Sequence, residues 1–259
     1  MNRVMQSKLA GLGVVALAAA SGAANAEISS TITIASDYDF RGITQSARDP
    51  AFQASLDWSH ENGLYAGLWA SNVDFGKSTT DGGEGSPAVT LSGPNVEVDL
   101  IVGYGGSITE SVGYDVGATY YTYYGESSGV SSVDYGEFRA GLSFGEHASS
   151  TIWYSPDYGN ADDSAWYLEA NGDIPLPGEL AVTLHAGYST GDYWESSDDE
   201  YFDYAVGLTR SFGHFDCAVK YVDGSDIESL DGTDPDDVFS SESKVVFSVA
   251  TTFPWAKAE

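Results

Sequence analysis

From about residue 28 onward the chain alternates apolar and polar residues over short stretches, each broken by clusters of Gly, Pro, Asn, Asp and Ser. A period of two is the mark of a strand whose two faces meet different surroundings. "TITIASDYDFRGITQS", Thr31 to Ser46, begins in this way and then runs through aspartates and aromatics into a glycine. Such runs predict about twelve strands, near 28–38, 50–60, 63–73, 95–104, 112–123, 134–144, 147–155, 165–173, 179–188, 201–210, 213–222 and 243–253. No segment is long and periodic enough to predict a helix.

The connections between these strands alternate in length. "HENG", "GGSITES", the turn at Gly145 and Glu146, "IPLPG" and "FGH" are short, whereas 39–49, 74–94, 124–133, 156–164, 189–200 and 223–242 are long. Successive antiparallel strands place alternate connections at opposite ends, so one end is trimmed and the other elaborated. A soluble sandwich with Greek-key connections does not sort its loops by end. An up-and-down transmembrane β-barrel does, with short turns on the periplasmic side and long loops outside. The expectation is therefore an all-β chain forming a single antiparallel barrel, with residues 74–94, 189–200 and 223–242 outside the cell.

Parity assigns the faces. The apolar set contains Ile32, Ile34, Phe52, Leu56, Trp58, Val98, Leu100, Val102, Val116, Ala118, Tyr120, Phe138, Ala140, Leu142, Val182, Leu184, Phe202, Tyr204, Val206, Leu208, Val245, Phe247 and Val249, and is expected to face lipid. Arg210 shares this parity, but near a strand end, where a long side chain reaches the interface. The opposite parity collects Asp57, Glu97, Asp99, Asp115, Glu137, Arg139, Glu169, His185, Asp203, Asp216 and Lys220, interleaved with glycines. Charges at this density call for a hydrated lumen, which these eleven residues are expected to line. Tyrosines and tryptophans near strand ends, "YYTYY", "WYSPDY", Trp166 with Tyr167 and Tyr193 with Trp194, are expected to form girdles at the two interfaces.

Composition narrows the partners. Residues 1–26 carry Arg3 and Lys8, the apolar run "LAGLGVVALAAA" and the small-residue site "ANA", the three parts of a secretory signal peptide cleaved near Ala26. The barrel then occupies 27–259. The formal net charge is −29 and becomes two units more negative when Arg3 and Lys8 leave. A polyanion of this kind repels phosphates, which excludes nucleic acid as a partner. Cys217 is the single cysteine, so no internal disulfide forms, and its apolar strand neighbours mark it as a small hydrophobe.

The stretch "SDYDFRGITQSARDPAFQASLDWSHENGLYAGLWASNVDF", Ser36 to Phe75, resembles the opening of the TorF porin family of proteobacterial outer-membrane proteins. "YYTYYG", "YSPDY", "IPLPGELAVTLHAGY" and "DYAVGLTRSFGHFDCAVKYVD" fit the same family, so the likeness covers most of the mature chain. It implies a barrel in the outer membrane of a Gram-negative cell and passive transport, and supplies neither catalytic residues nor a substrate. "KVVFSVATTF" looks like a signal for the barrel-assembly machinery, although "PWAKAE" follows Phe253.

Other chemistry finds little footing. His60, His147 and His214 fall at or beside short turns, where solvation is the ordinary state, and only His185 points inward. The acidic segment "DGSDIESLDGTDPDDVF", Asp223 to Phe239, fails the helix-loop-helix calcium pattern, with Pro235 at the fifth position counted from Asp231 and no glutamate at the twelfth. No cofactor and no defined metal site is expected. The partners are outer-membrane lipid and lipopolysaccharide, the assembly machinery, and small solutes or cations. The function expected is a porin-like channel for passive diffusion of small solutes, preferring cations and not an enzyme. The alternatives are a secreted acidic β-sandwich binding protein and an outer-membrane lipid hydrolase.

Overall fold

In the computed structural model, which describes residues 26–80, 89–196, 198–225, 227 and 237–255, antiparallel strands close into one barrel. The barrel strands are β1 (Ala26–Ala35), β2 (Ala51–His60), β3 (Leu64–Asn72), β4 (Val96–Ser107), β5 (Val112–Tyr124), β6 (Tyr135–Phe144), β7 (Ala148–Ser155), β8 (Ala165–Leu176), β9 (Leu180–Thr190), β10 (Tyr201–Phe212), β11 (Phe215–Gly224) and β12 (Lys244–Phe253). Each pairs with its sequence neighbours, and β1 closes the ring by pairing on one side with β2 (Ile34 opposite Phe52) and on the other with β12 (Ile34 opposite Val249). Closure removes the unpaired strand edge that an open sheet would present.

All twelve predicted strands form, each within a few residues of its expected limits. The closed ring rules out the β-sandwich. The long connection after β3 holds a further hairpin that parity reading missed, Lys77–Thr80 paired with Val89–Ser92. The signal peptide up to residue 25 and the acidic residues 228–236 lie outside the described residues.

The expected outward set is exposed or partly exposed throughout. Phe138 is 61% exposed and Leu100 49%. A continuous belt of large apolar side chains on a barrel's outer wall is stable only against an apolar medium, because each such side chain is worth ~1.5–3 kcal/mol when removed from water. Among the described residues no helix is long and apolar enough to cross a membrane; the strands carry the belt instead.

Turn geometry explains why one end stays trimmed. At the β2–β3 turn Gly63 has φ +99°, a conformation open to glycine, and a Cβ there would strike the carbonyl of Gly105. At the same end Trp255 stacks on His214 at 4.8 Å and donates from Nε1 to Thr251 Oγ1 at 3.0 Å.

Because Leu100 and Ser143 lie on opposite faces, they separate lipid contact from interior contact. Leu100→Arg should cost ~2–4 kcal/mol in a bilayer, whereas Ser143→Arg, on the inward parity near the trimmed end, should assemble normally. Urea-induced unfolding in lipid vesicles measures both. Equal defects would show that the register is wrong.

Candidate functional site

The eleven residues assigned inward by parity are each buried or half-buried. Most of them are joined in one packed network. Arg139 reaches from β6 to β5, where Nε donates to Asp115 Oδ1 at 2.8 Å. Its guanidinium also donates to the hydroxyl of Tyr65, which in turn donates to Asp115 Oδ2 at 2.6 Å. On β8 to β10, His185 Nε2 lies 2.8 Å from Asp203 Oδ1 and its Nδ1 2.7 Å from Asn171 Oδ1. Tyr167 donates to Asp203 Oδ2 at 3.0 Å, and Trp153 Nε1 donates to Glu169 Oε1 at 3.0 Å. His185 thus gains the carboxylate partner that the sequence did not assign to it.

Asp57, Asp216 and Lys220 stay apart from this network. Asp57 accepts from Ser55 Oγ at 2.7 Å, and Asp216 accepts from Ser211 Oγ at 2.5 Å.

The remaining interior groups come from a segment expected outside. Residues 36–50, which include the predicted outer connection 39–49, fold into the barrel mouth instead. A two-residue ladder, Asp39–Phe40 with Ile43–Thr44, makes a tight hairpin whose tip is Arg41 (φ +53°) and Gly42 (φ +84°). The Asp37 carboxylate accepts from the hydroxyls of Thr44 and Ser46, and Ser46 Oγ accepts from the Tyr38 amide at 3.0 Å. Gly42 is required for contact as well as for φ, since a Cβ there would lie 2.9 Å from the Asp203 Cβ on β10.

At that tip Arg41 donates bidentately to Glu137, NH1 to Oε1 and NH2 to Oε2, each at 2.8 Å. Glu137 stands two residues inside the mouth end of β6, so the guanidinium reaches well into the ring. Its plane is enclosed by Tyr167 (4.3 Å to the ring centroid), Phe40 (4.6 Å) and Trp153 (5.5 Å). Lys244, the first residue of β12, lies 2.9 Å from Asp39 and 3.6 Å from Asp37, and donates to the Gly42 carbonyl at 3.0 Å. Arg41 and Lys244 were absent from the inward set. Lys244 shares the parity of Val246 and Ser248 and was legible there; Arg41 sits in a connection, where parity has no meaning.

Two expectations need correction. The mouth half of the interior is not a hydrated lumen around free charges: ion pairs and tyrosine hydroxyls fill it, and Glu97 is 2% exposed and Asp99 1%. The aromatics near strand ends do not all form girdles. Tyr120, Tyr124, Tyr154 and Trp166 face outward, but Tyr121, Tyr123, Trp153 and Tyr167 face inward. Tyr193 and Trp194 pack with Tyr158 and Tyr201 over the mouth, Tyr158 and Tyr193 at 4.9 Å between centroids. Burial, and then the charges of Glu97 and Asp99, hold the phenol of Tyr38 well above its usual range, so it remains a neutral hydroxyl.

A family model described as "Bacterial protein of unknown function (Gcw_chp)" matches residues 19–253. The chain belongs to the Gcw_chp family. No curated protein matches it. Among solved structures it is similar to one titled "KdgM porin", at 9% identity and TM-score 0.50 over 88% of this chain and 99% of that one. It is similar also to "NanC porin structure in rhombohedral crystal form", at 10% identity and TM-score 0.50 over 86% and 98%. At such identities the likeness is one of fold, and it agrees with the barrel of this Gcw_chp chain.

The Arg41–Glu137 pair couples the inserted hairpin to the wall. Arg41→Met leaves Glu137 buried without its cation and should cost about 3–5 kcal/mol. The double variant R41M/E137Q should recover most of that loss, measured by thermal unfolding in detergent. Additive losses would show that hairpin and wall are energetically independent.

Proposed function

We propose that this protein is an outer-membrane channel of the porin kind, passing small solutes by diffusion through a lumen that the inserted hairpin 36–50 narrows. The observation that carries this reading is the inversion of polarity: an apolar belt outside, and an interior of charges held by a folded-in connection. The barrel likeness to the two porin structures supports it, as does the resemblance of Ser36 to Phe75 to the TorF porin family. In this reading the belt contacts outer-membrane lipid, the elaborated end faces outward toward lipopolysaccharide, the last strand meets the assembly machinery, and the role is transport, not catalysis.

The same reading makes the channel cation-preferring. The interior carboxylates include Asp37, Asp39, Asp57, Glu97, Asp99, Asp115, Glu137, Glu169, Asp203 and Asp216, against the cations Arg41, Arg139, Lys220 and Lys244. Arg41 and Lys244 reduce the excess that parity alone implied, but anions still dominate. Low-dielectric walls strengthen the field of such an excess on a narrow path.

Purified protein in a planar bilayer under a potassium chloride gradient tests this. The expected reversal potential is that of a potassium-preferring pore, and D57N/D216N should reduce the preference. Removing the hairpin anchor with R41M/E137Q should raise unitary conductance. No conductance in either protein, or anion preference in the unsubstituted one, would overturn the proposal.

A further inference from the structure

Six of the interior carboxylates have a cation, an imidazole or a strong neutral donor against them. Glu137 has Arg41, Asp115 has Arg139, Asp203 has His185, Asp37 and Asp39 have Lys244, and Glu169 has Trp153 Nε1. Glu97 and Asp99, two apart on β4 and both inward, pair with no cation among the described residues. By hydrogen-bond geometry Glu97 has one long contact, from the Tyr123 hydroxyl to Oε1 at 3.3 Å, and its other polar neighbours are Tyr38 and Asp99. Glu97 Oε2 and Asp99 Oδ1 are buried with no hydrogen-bond partner.

A third oxygen, from a different segment, is in the same state. Tyr38, in the inserted hairpin, is 2% exposed, and its hydroxyl too is buried without a hydrogen-bond partner. Its ring is fixed against Trp69 at 5.3 Å, and its hydroxyl faces Glu97 and Asp99. Register places Trp69 and Tyr121 directly across from Asp99, and Ser71 and Tyr123 across from Glu97. The pair therefore sits in an aromatic-walled recess roofed by the hairpin, its buried oxygens facing one another and the Tyr38 hydroxyl.

We propose that Glu97, Asp99 and Tyr38 form a binding site for one hard divalent cation of the calcium type, closed by insertion of hairpin 36–50. Oxygen-only donors suit such an ion, and its charge neutralises the two carboxylates that the protein leaves unpaired. Among the described residues no three carboxylate, imidazole or thiolate groups converge on one point. The carboxylates therefore number two, and the phenol and water fill the other positions. The site binds whether or not the barrel conducts, so it stands apart from the channel proposal.

Terbium, a calcium analogue whose emission is sensitised by nearby Trp and Tyr rings, reads the site out in the full chain in detergent micelles. Titrated into the unsubstituted protein, terbium should give emission that excess calcium abolishes. E97Q/D99N should lose one bound equivalent, and Y38F should weaken it. D162N/D163N, in the connection between β7 and β8, should retain it. Heat-modifiable gel migration confirms assembly of each variant, and E97Q alone carries the comparison if the double variant does not assemble. Equal stoichiometry and affinity in E97Q/D99N and the unsubstituted protein would overturn the site. So would the absence of calcium-displaceable emission, in which case an infrared band of a protonated carboxyl, lost in E97Q/D99N, would assign the pair a shared proton instead.

Discussion

Closure of the sheet is the constraint on which everything else in this molecule rests. Its outer wall is apolar, and against an apolar medium an unpaired N–H or C=O has nothing to bond to. A linear sheet of these strands would leave the outer edges of β1 and β12 bare. Pairing them with each other satisfies both, and fixes an even number of strands with both strand termini at the trimmed end. The ring then creates an enclosed space that has to be either filled or wet.

The chain fills the mouth half and does so with polar groups. A soluble protein puts its aliphatic residues inside; here they are outside, and the interior holds aromatic rings, carboxylates and guanidiniums. Buried charges are tolerable when each is matched and hydrogen-bonded. Arg41 and Arg139 flank Trp153, with centroid distances of 5.5 and 5.2 Å, and each also binds a carboxylate and lies against a tyrosine ring. Glycines in the wall give the rings room: Tyr65 lies over Gly103 and Tyr167 over Gly187. Rigid, paired groups of this kind hold the hairpin in one place, which a set of solvated side chains would not do.

The inserted hairpin ties the barrel interior to its wall. Its own bonds, from Asp37 to Thr44 and Ser46, give it shape; Glu137, Asp203 and Lys244, contributed by three different strands, give it position. It therefore narrows the mouth and completes the surroundings of Glu97 and Asp99 at the same time. Any movement of the hairpin would change both the width of the mouth and the environment of those two carboxylates.

The strand set, the two faces, the asymmetry of the ends and the closed barrel were all legible in the sequence. They follow from local repetition: side chains alternate with period two whatever lies across the sheet, so the apolar belt could be read strand by strand. Lys244 obeyed the same rule. The tertiary structure alone decided what the inward residues do. The pairing of Glu137 with Arg41, the junction of His185 with Asp203, the inward turn of Tyr38 and the isolation of Glu97 and Asp99 join positions far apart in the chain. A connection has no parity, so nothing in the order of residues 36–50 says whether they point into water or into the ring. Only the space left by closure, and the carboxylates waiting in it, draw Arg41 inward.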